Sequence, residues 1–235
     1  MIPGSANPLL LASAEEAADR SLRFNDPDQA YLSSTISANI TTFTYSFWVK
    51  RCVSGNRDEI LDTPSSTGFY LYFDNDGYIK INDNTQNIFT SNGQYRDPSA
   101  WMHVVVNNNG STFNLYVNGV LDKAASITTK LYSGAITIGS NHATDAPDYY
   151  LAKVHFIDGQ ALAATDFAEY DSNNVWNPKE YSGTYGTNGF HLDFSDNSSN
   201  AALGTDSSGN SNTWTVNNLS VASGSGNDSL IDTPT

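Results

Sequence analysis

The sequence predicts an all-β protein, a sandwich or barrel of nine or more short strands, and three observations carry that prediction. Short runs alternating polar with apolar residues recur from Ser21 onward. Turn formers separate them, most clearly Asp76-Gly77 in "FDNDGYIKI" and Asn118-Gly119 in "LYVNGVLD", each read as a two-residue primed turn closing a hairpin. Composition agrees: 13 Tyr and 11 Phe outnumber 4 Trp and 2 Met, and charged residues are only 15% of the chain. A chain of 235 residues is long enough to bury roughly 70% of its unfolded surface without covalent staples.

The elements follow in order. Residues 1–20 lack strand alternation, and Pro3 and Pro8 interrupt them; "SAEEAADRS" can form one capped turn, Ser13 as cap with Glu16 three residues on, in an arm outside the core. The strands are "AYLSSTI", "TTFTYSFWVKR", "GFYLYF", "YIKIN", "WMHVVVN", "TFNLYVNG", "GAITIGS", "YYLAKVHFID" and "GFHLDF". Alternation proposes Phe47, Trp48, Val105, Leu115, Val117, Ile138, Val154 and Phe156 for the core, with Phe47 and Trp48 on opposite faces. One helix is expected, over Ala161–Tyr170, with Leu162 and Phe167 facing the core. The loop-rich stretch Asn173–Gly189 carries Trp176, Tyr181 and Tyr185 and is read as wrapping the core, while residues 221–235 read as a Gly/Ser-rich tail.

Charge and cysteine usage exclude several functions. Eleven basic against 25 acidic residues leave −14 at pH 7, which repels phosphate backbones and anionic membrane faces, so neither nucleic acid nor membrane insertion is expected. Cys52 is the sole cysteine and is read as filler. The apolar run Leu9 to Ala12 is short and lacks a basic flank, pointing to synthesis and folding in the cytoplasm.

Taken together, "FTYSFWVKR", "SAWMHVVVNNNGSTFNLYVNGV", "AITIGS" and "YYLAKVHFIDGQALAATDF" resemble the laminin-G-like, concanavalin-A-like jelly-roll superfamily. The resemblance implies a two-sheet antiparallel jelly-roll sandwich over 21–220, with one short helix. A narrower similarity, carried by "MIPGSANPLLLA", "RDPSAW", "VHFIDGQAL", "KEYSGTYGTNGFHLDFSDNSS" and "DSSGNSNTWTVNNLS", is to tail-fibre-type virion proteins of marine bacteriophages. It implies a virion location, other virion proteins as partners, a homo-oligomer expected as a trimer, and a chain that continues past "DTPT".

Jelly-roll relatives include glucanases, which need two carboxylates on one face of a strand. Glu59 and Asp62 are three apart and on a regular strand point to opposite faces; Asp74 and Asp76 lie at a turn. His103, His142, His155 and His191 show no metal-ligand spacing, and no Gly-X-Ser-X-Gly elbow is present. The reading is a binding module and not an enzyme. Tyr149, Tyr150, Tyr170, Trp176, Tyr181 and Tyr185 fall at loops or strand ends beside Asn and Asp, the pattern with which proteins stack on a sugar ring of a host-surface glycan or receptor. Either these aromatics grip carbohydrate, or they anchor loops in a structural virion protein that binds none.

"DFSD" and "TDSSGNSNTW" offer one further choice. Resemblance to laminin-G-like domains implies calcium held by Asp206, with Asp193 or Asp196 adding charge and Ser208, Asn210 and backbone carbonyls completing the shell. The alternative is an Asx-type turn in which Asp206 caps amides of Ser208 and Gly209 and the chain reverses into a Trp214 strand.

Overall fold

The computed structural model describes residues 20–53, 55–63, 68–83, 86–127, 129–139 and 147–234, with residues 86–88 described as backbone only. The expected N-terminal arm, apart from Arg20, and His142 lie outside the described residues.

Alternating runs become strands β1 (Ser21–Phe24), β2 (Tyr31–Ile36), β3 (Thr42–Arg51), β4 (Asp58–Asp62), β5 (Phe69–Phe73), β6 (Ile79–Asp83) and β7 (Gln86–Thr90). They continue as β8 (Met102–Asn109), β9 (Thr112–Val117), β10 (Val120–Ser126), β11 (Gly134–Gly139) and β12 (Tyr149–Asp158). Five short strands close the list: β13 (Ala168–Tyr170), β14 (Trp176–Pro178), β15 (Phe190–Leu192), β16 (Thr215–Asn217) and β17 (Ser229–Leu230).

Two antiparallel sheets form the sandwich. The first runs β10-β9-β8-β3-β12-β1-β17 with β15 also on β12, and the second runs β16-β2-β11-β4-β5-β6-β7. Their facing sides bury Phe43, Tyr45 and Phe47 of β3, Leu115 and Val117 of β9, and Ile138 of β11 in one apolar core. The fold is therefore the expected two-sheet antiparallel jelly-roll sandwich.

Phe47 enters this core, whereas Trp48 faces the other way and packs with Ala152 and Ala168 in a separate cluster. That outer side of the first sheet is itself covered, by the β13–β14 hairpin and the chain around it. A bulge in β12, with Lys153 at φ 48°, lets Ala152 and His155 both face outward while Val154 returns to the core.

Local chemistry corrects four expectations. The segment Ala161–Tyr170 is no helix: only Ala164–Asp166 forms a 3₁₀ turn, held where Asp166 Oδ2 accepts the Ala163 amide at 2.8 Å, and the chain then extends into β13. Asn118 and Gly119 have φ 48° and 78° as a primed turn requires. Of Asp76-Gly77 only Gly77 is positive, at 81°, because Asp74 Oδ1 accepts the amides of both Asp76 and Tyr78 and widens the turn. The expected tail supplies β17 on the edge of β1, where the buried Asp228 pairs with Arg23 at 2.9 Å and takes the Ser220 amide at 2.8 Å.

The fourth correction concerns Glu59 and Asp62. The β4–β5 register slips at Ile60, pairing Glu59 with Tyr72 and Asp62 with Tyr70. Tyr70 and Tyr72 are two apart, so the bulge puts both carboxylates on one outward face, where a regular strand would separate them.

Candidate functional site

A cleft of about 390 Å³ opens between the loop 91–101 and the β9–β10 turn, lined by Gln94, Tyr95, Arg96, Asp97, Ala100, Trp101, Met102 and Asn118. Its position follows from the sandwich, since Trp101 directly precedes β8 and Asn118 directly follows β9.

The loop is not regular structure, yet it is tightly tied. Asp122 on β10 takes the amides of Asn92 at 2.7 Å and Gly93 at 2.9 Å and the Tyr95 hydroxyl at 2.6 Å. Arg51, buried and ion-paired with Asp58 at 2.6 Å, donates to the Tyr95 carbonyl at 3.1 Å. The Tyr95 amide reaches the Gly77 carbonyl at 2.7 Å, and Arg96 Nε donates to the Asp76 carbonyl at 2.7 Å.

These bonds leave several lining groups free. The side chain of Gln94 is exposed and makes no hydrogen bond among the described residues. Asn118 Oδ1 accepts the His103 amide at 2.8 Å, leaving its NH₂ available. Asp97 Oδ1 accepts the amide and hydroxyl of Ser99, which hold its carboxyl below the ordinary range and leave Oδ2 open. Trp101 supplies an aromatic wall. Its Nε1 donates to Asp232 Oδ1 at 3.2 Å, and the same carboxylate binds Lys50, which lies 5.5 Å from the Trp101 ring centroid and 4.8 Å from that of Tyr150.

The aromatics proposed from sequence divide into two sets. Tyr149 is fully buried in the core with its hydroxyl on the Glu59 carbonyl at 2.7 Å, because its odd position on β12 faces inward, so it cannot stack on a sugar. Tyr185 is buried as well, its hydroxyl 2.9 Å from His155 Nδ1, and Tyr181 packs 5.3 Å from it with its hydroxyl on the Thr184 carbonyl. These two anchor the wrapping loop. Tyr150 and Trp176 stand on the outer face near the cleft, and Tyr170 is 52% exposed beside Trp176. Trp176 and Trp101 both pack on the Trp48 cluster, and Trp176 lies over the turn, where a Cβ on Gly119 would meet its ring at 2.9 Å.

Sequence reasoning missed Gln94, Arg96, Asp97, Trp101 and Asn118 as a group. The signal of the first four was present in "NGQYRDPSAW", where amides and charges interleave with aromatics outside any strand alternation, whereas Asn118 lies in the separate "LYVNGVLD" turn.

At the proposed metal cluster the donors point the wrong way for a cation. Asp206 Oδ1 accepts the His191 and Ser208 amides, each at 2.9 Å, and Oδ2 accepts the Ser208 hydroxyl at 2.9 Å and the Asn212 amide at 2.8 Å. Asn210 turns its NH₂ to the carbonyls of Gly186 and Gly189. Asp193 and Asp196 each cap their own turns, at Ser195 and Ser198. Among the described residues no three acidic, His or Cys side chains gather as metal ligands. The arrangement fits the Asx-type turn at Ser208, with Gly209 at φ 89°, although the other amides that Asp206 caps are those of His191 and Asn212 and not that of Gly209, and it does not fit calcium. Trp214 is buried as expected, but the strand begins one residue later, at Thr215.

On the second sheet, Asp62 and Glu59 are both 2% exposed. Burial first, and then the charge of Glu59, push the Asp62 carboxyl up to about 7.

Comparison with solved structures shows a likeness in fold. It is similar to a candidate carbohydrate-binding protein of Bacteroides ovatus ATCC 8483, at TM-score 0.60 and 14% identity over 85% of this chain and 58% of that one. It is similar to the heptameric SAP-like pentraxin of Limulus polyphemus, at TM-score 0.50 and 16% identity over 64% and 81%. A third likeness is to the binding domain of botulinum neurotoxin DC solved with SialylT, at TM-score 0.50 and 17% identity; the chain spans 42% of that structure's length. No curated protein sequence matches the chain. The profile of the concanavalin A-like lectin/glucanases superfamily matches residues 25–159, more than half of the 235 residues, and the chain belongs to that superfamily.

Proposed function

We propose that the protein is a non-catalytic carbohydrate-binding module whose contact site is the cleft at Trp101. One observation carries the reading: a loop without regular structure is pinned by Asp122 and Arg51 while its Gln94 and Asp97, with Asn118 of the neighbouring turn, line one cleft with Trp101 and keep polar groups that no hydrogen bond among the described residues uses. Ordering a loop costs about 1–2 kcal/mol per residue, and a preorganised set of amide and carboxylate groups beside an indole suits the hydroxyls and CH face of a sugar. The sugar-binding description of the Bacteroides ovatus protein supports the same reading.

The proposed setting is a bacteriophage virion, with host-surface glycan as the ligand and neighbouring virion proteins, including further copies of this chain as a trimer, as partners. That setting is supported by the phage-like sequence motifs alone. Affinity electrophoresis against a polysaccharide panel tests the binding reading. Retarded migration in at least one gel is expected, and uniform mobility in all of them overturns it in favour of a structural role.

A second reading is favoured by the β4 bulge, which sets Glu59 and Asp62 on one face with Asp62 raised to about 7. A carboxylic acid beside a carboxylate is the equipment of glycan hydrolysis. Both groups are buried and Glu59 is ion-paired with Arg57 at 2.8 Å, which favours the binding reading. Release of reducing ends from a bound polysaccharide, lost in Asp62→Asn, would establish the hydrolytic one.

A further inference from the structure

We infer that the Trp101 cleft selects an uncharged pyranose with adjacent hydroxyl groups and rejects acidic sugars, an inference that rests on the carbohydrate-binding reading above. Its polar inventory is made for diols. Asp97 offers an open carboxylate oxygen that can only accept, Asn118 offers an NH₂ whose partner oxygen is already taken, and Gln94 offers both a donor and an acceptor. Neighbouring hydroxyls on a ring each donate and accept, so a carboxylate on one and an amide on the next satisfies both.

Charge decides against anions. Arg96 is the one cation of the lining; its Nε is on the Asp76 carbonyl, its Nη2 lies 4.0 Å from the Asp76 carboxylate, and its side chain is 54% exposed to solvent. Asp97 shares the lining and Asp122 sits beneath the loop, so one cation faces three carboxylates. Lys50, the next cation along the outer face, is held by Asp232. A sialic or uronic acid carboxylate would enter a local excess of negative charge on a protein of net charge −14, with the solvent-screened Arg96 guanidinium as the one cation of the lining set against it. A neutral ring loses nothing to this field and can use the Trp101 wall.

The test compares the whole chain with Gln94→Ala and Asp97→Asn by affinity electrophoresis in dextran, mannan and galactan, and in polygalacturonate and polysialic acid. At least one neutral polymer is expected to retard the wild type, with affinity nearly unchanged between 50 and 300 mM salt, and each variant is expected to weaken that binding about tenfold or more. Retardation by an acidic polymer that the two variants weaken overturns the charge selection and leaves the carbohydrate-binding reading standing. Neutral binding that neither variant alters removes the site from this cleft. Absence of retardation by every polymer overturns the inference and the proposed function together. Circular dichroism of the variants, both at exposed positions, confirms that any loss is local.

Discussion

The indole Nε1 of Trp176 donates a hydrogen bond to Nδ1 of His103 across 3.1 Å. An indole nitrogen can only donate, so His103 Nδ1 is unprotonated and the ring proton sits on Nε2, facing Ser46 Oγ at 2.9 Å. Trp48 stacks on the same imidazole with centroids 4.9 Å apart. Burial lowers His103 to about 3. The β13–β14 hairpin is thus fastened to the first sheet through a neutral histidine.

This tautomer is measurable. In a proton-nitrogen correlation spectrum, His103 is expected to keep the Nε2–H pattern from pH 8 down to pH 4, and a titration near 6.5 would break the account. Trp176→Phe removes the donor and leaves Nδ1 without a partner, at an expected cost of about 1–3 kcal/mol.

His155 and His191 face each other across β12 and β15 with ring centroids 4.0 Å apart. Burial lowers both, and each partner ring adds to the effect on His155; Asp193 and Glu180 partly offset it at His191. The sign follows from linkage. Both rings stay neutral in the fold while the unfolded chain takes protons below about 6.5, so stability is held above that pH and lost as pH falls, by at most about 1.4 kcal/mol per pH unit per ring. His191→Phe should therefore gain on the wild type between pH 6 and pH 4 in urea melts. A parallel pair of curves would refute this.

Asp62 carries the opposite sign. Its carboxyl is raised to about 7 in the fold against about 3.9 when unfolded, so the charged form costs stability above pH 7 and that cost fades as pH falls through 7 toward 4. One oxygen, Oδ1, is buried without a hydrogen bond. Asp62→Asn is expected to stabilise the protein more at pH 8 than at pH 5, and a gain confined to pH 5 contradicts the burial argument.

Asp206 is the hub of its turn, accepting four hydrogen bonds from His191, Ser208 and Asn212. Asp206→Ala should cost on the order of 2–3 kcal/mol, seen as a melting temperature lowered by about 5–10 °C. Melts of the wild type in calcium and in EDTA should coincide, since a cation at 100 times its Kd would add about 2.7 kcal/mol. A calcium-dependent rise restores the metal reading.

Asp122 acts on the cleft through the loop and not through the ligand. Asp122→Asn keeps the side-chain volume but turns one acceptor into a donor against the Asn92 and Gly93 amides. Binding to whichever polysaccharide retards the wild type should weaken several-fold, with the sandwich intact by circular dichroism. Unchanged binding would detach the loop from function.

The sandwich was legible in the sequence because strands are decided locally. Side chains alternate with a period of two, so "TFTYSFWVK" announces that Phe47 and Trp48 take opposite faces, and Asn118-Gly119 declares its turn by the positive φ both residues tolerate. The Asp206 turn was readable in part, since Ser208 and Asn212 lie two and six residues away, whereas the His191 amide it also holds lies 15 residues away. What the sequence could not show depended on register and on partners far along the chain. One slipped residue at Ile60 brought Glu59 and Asp62 to the same face, and the bulge at Lys153 set His155 outward opposite His191. Tyr149 and Tyr150 are neighbours of equal chemistry, yet one is sealed in the core and the other lies under Lys50, a difference of strand face that depends on which side of β12 the second sheet covers. The cleft exists only where the loop 91–101, the Asn118 turn and Asp232 meet, 131 residues separating Trp101 from the carboxylate that holds it. Such convergence is a property of packed sheets, and no local pattern encodes it.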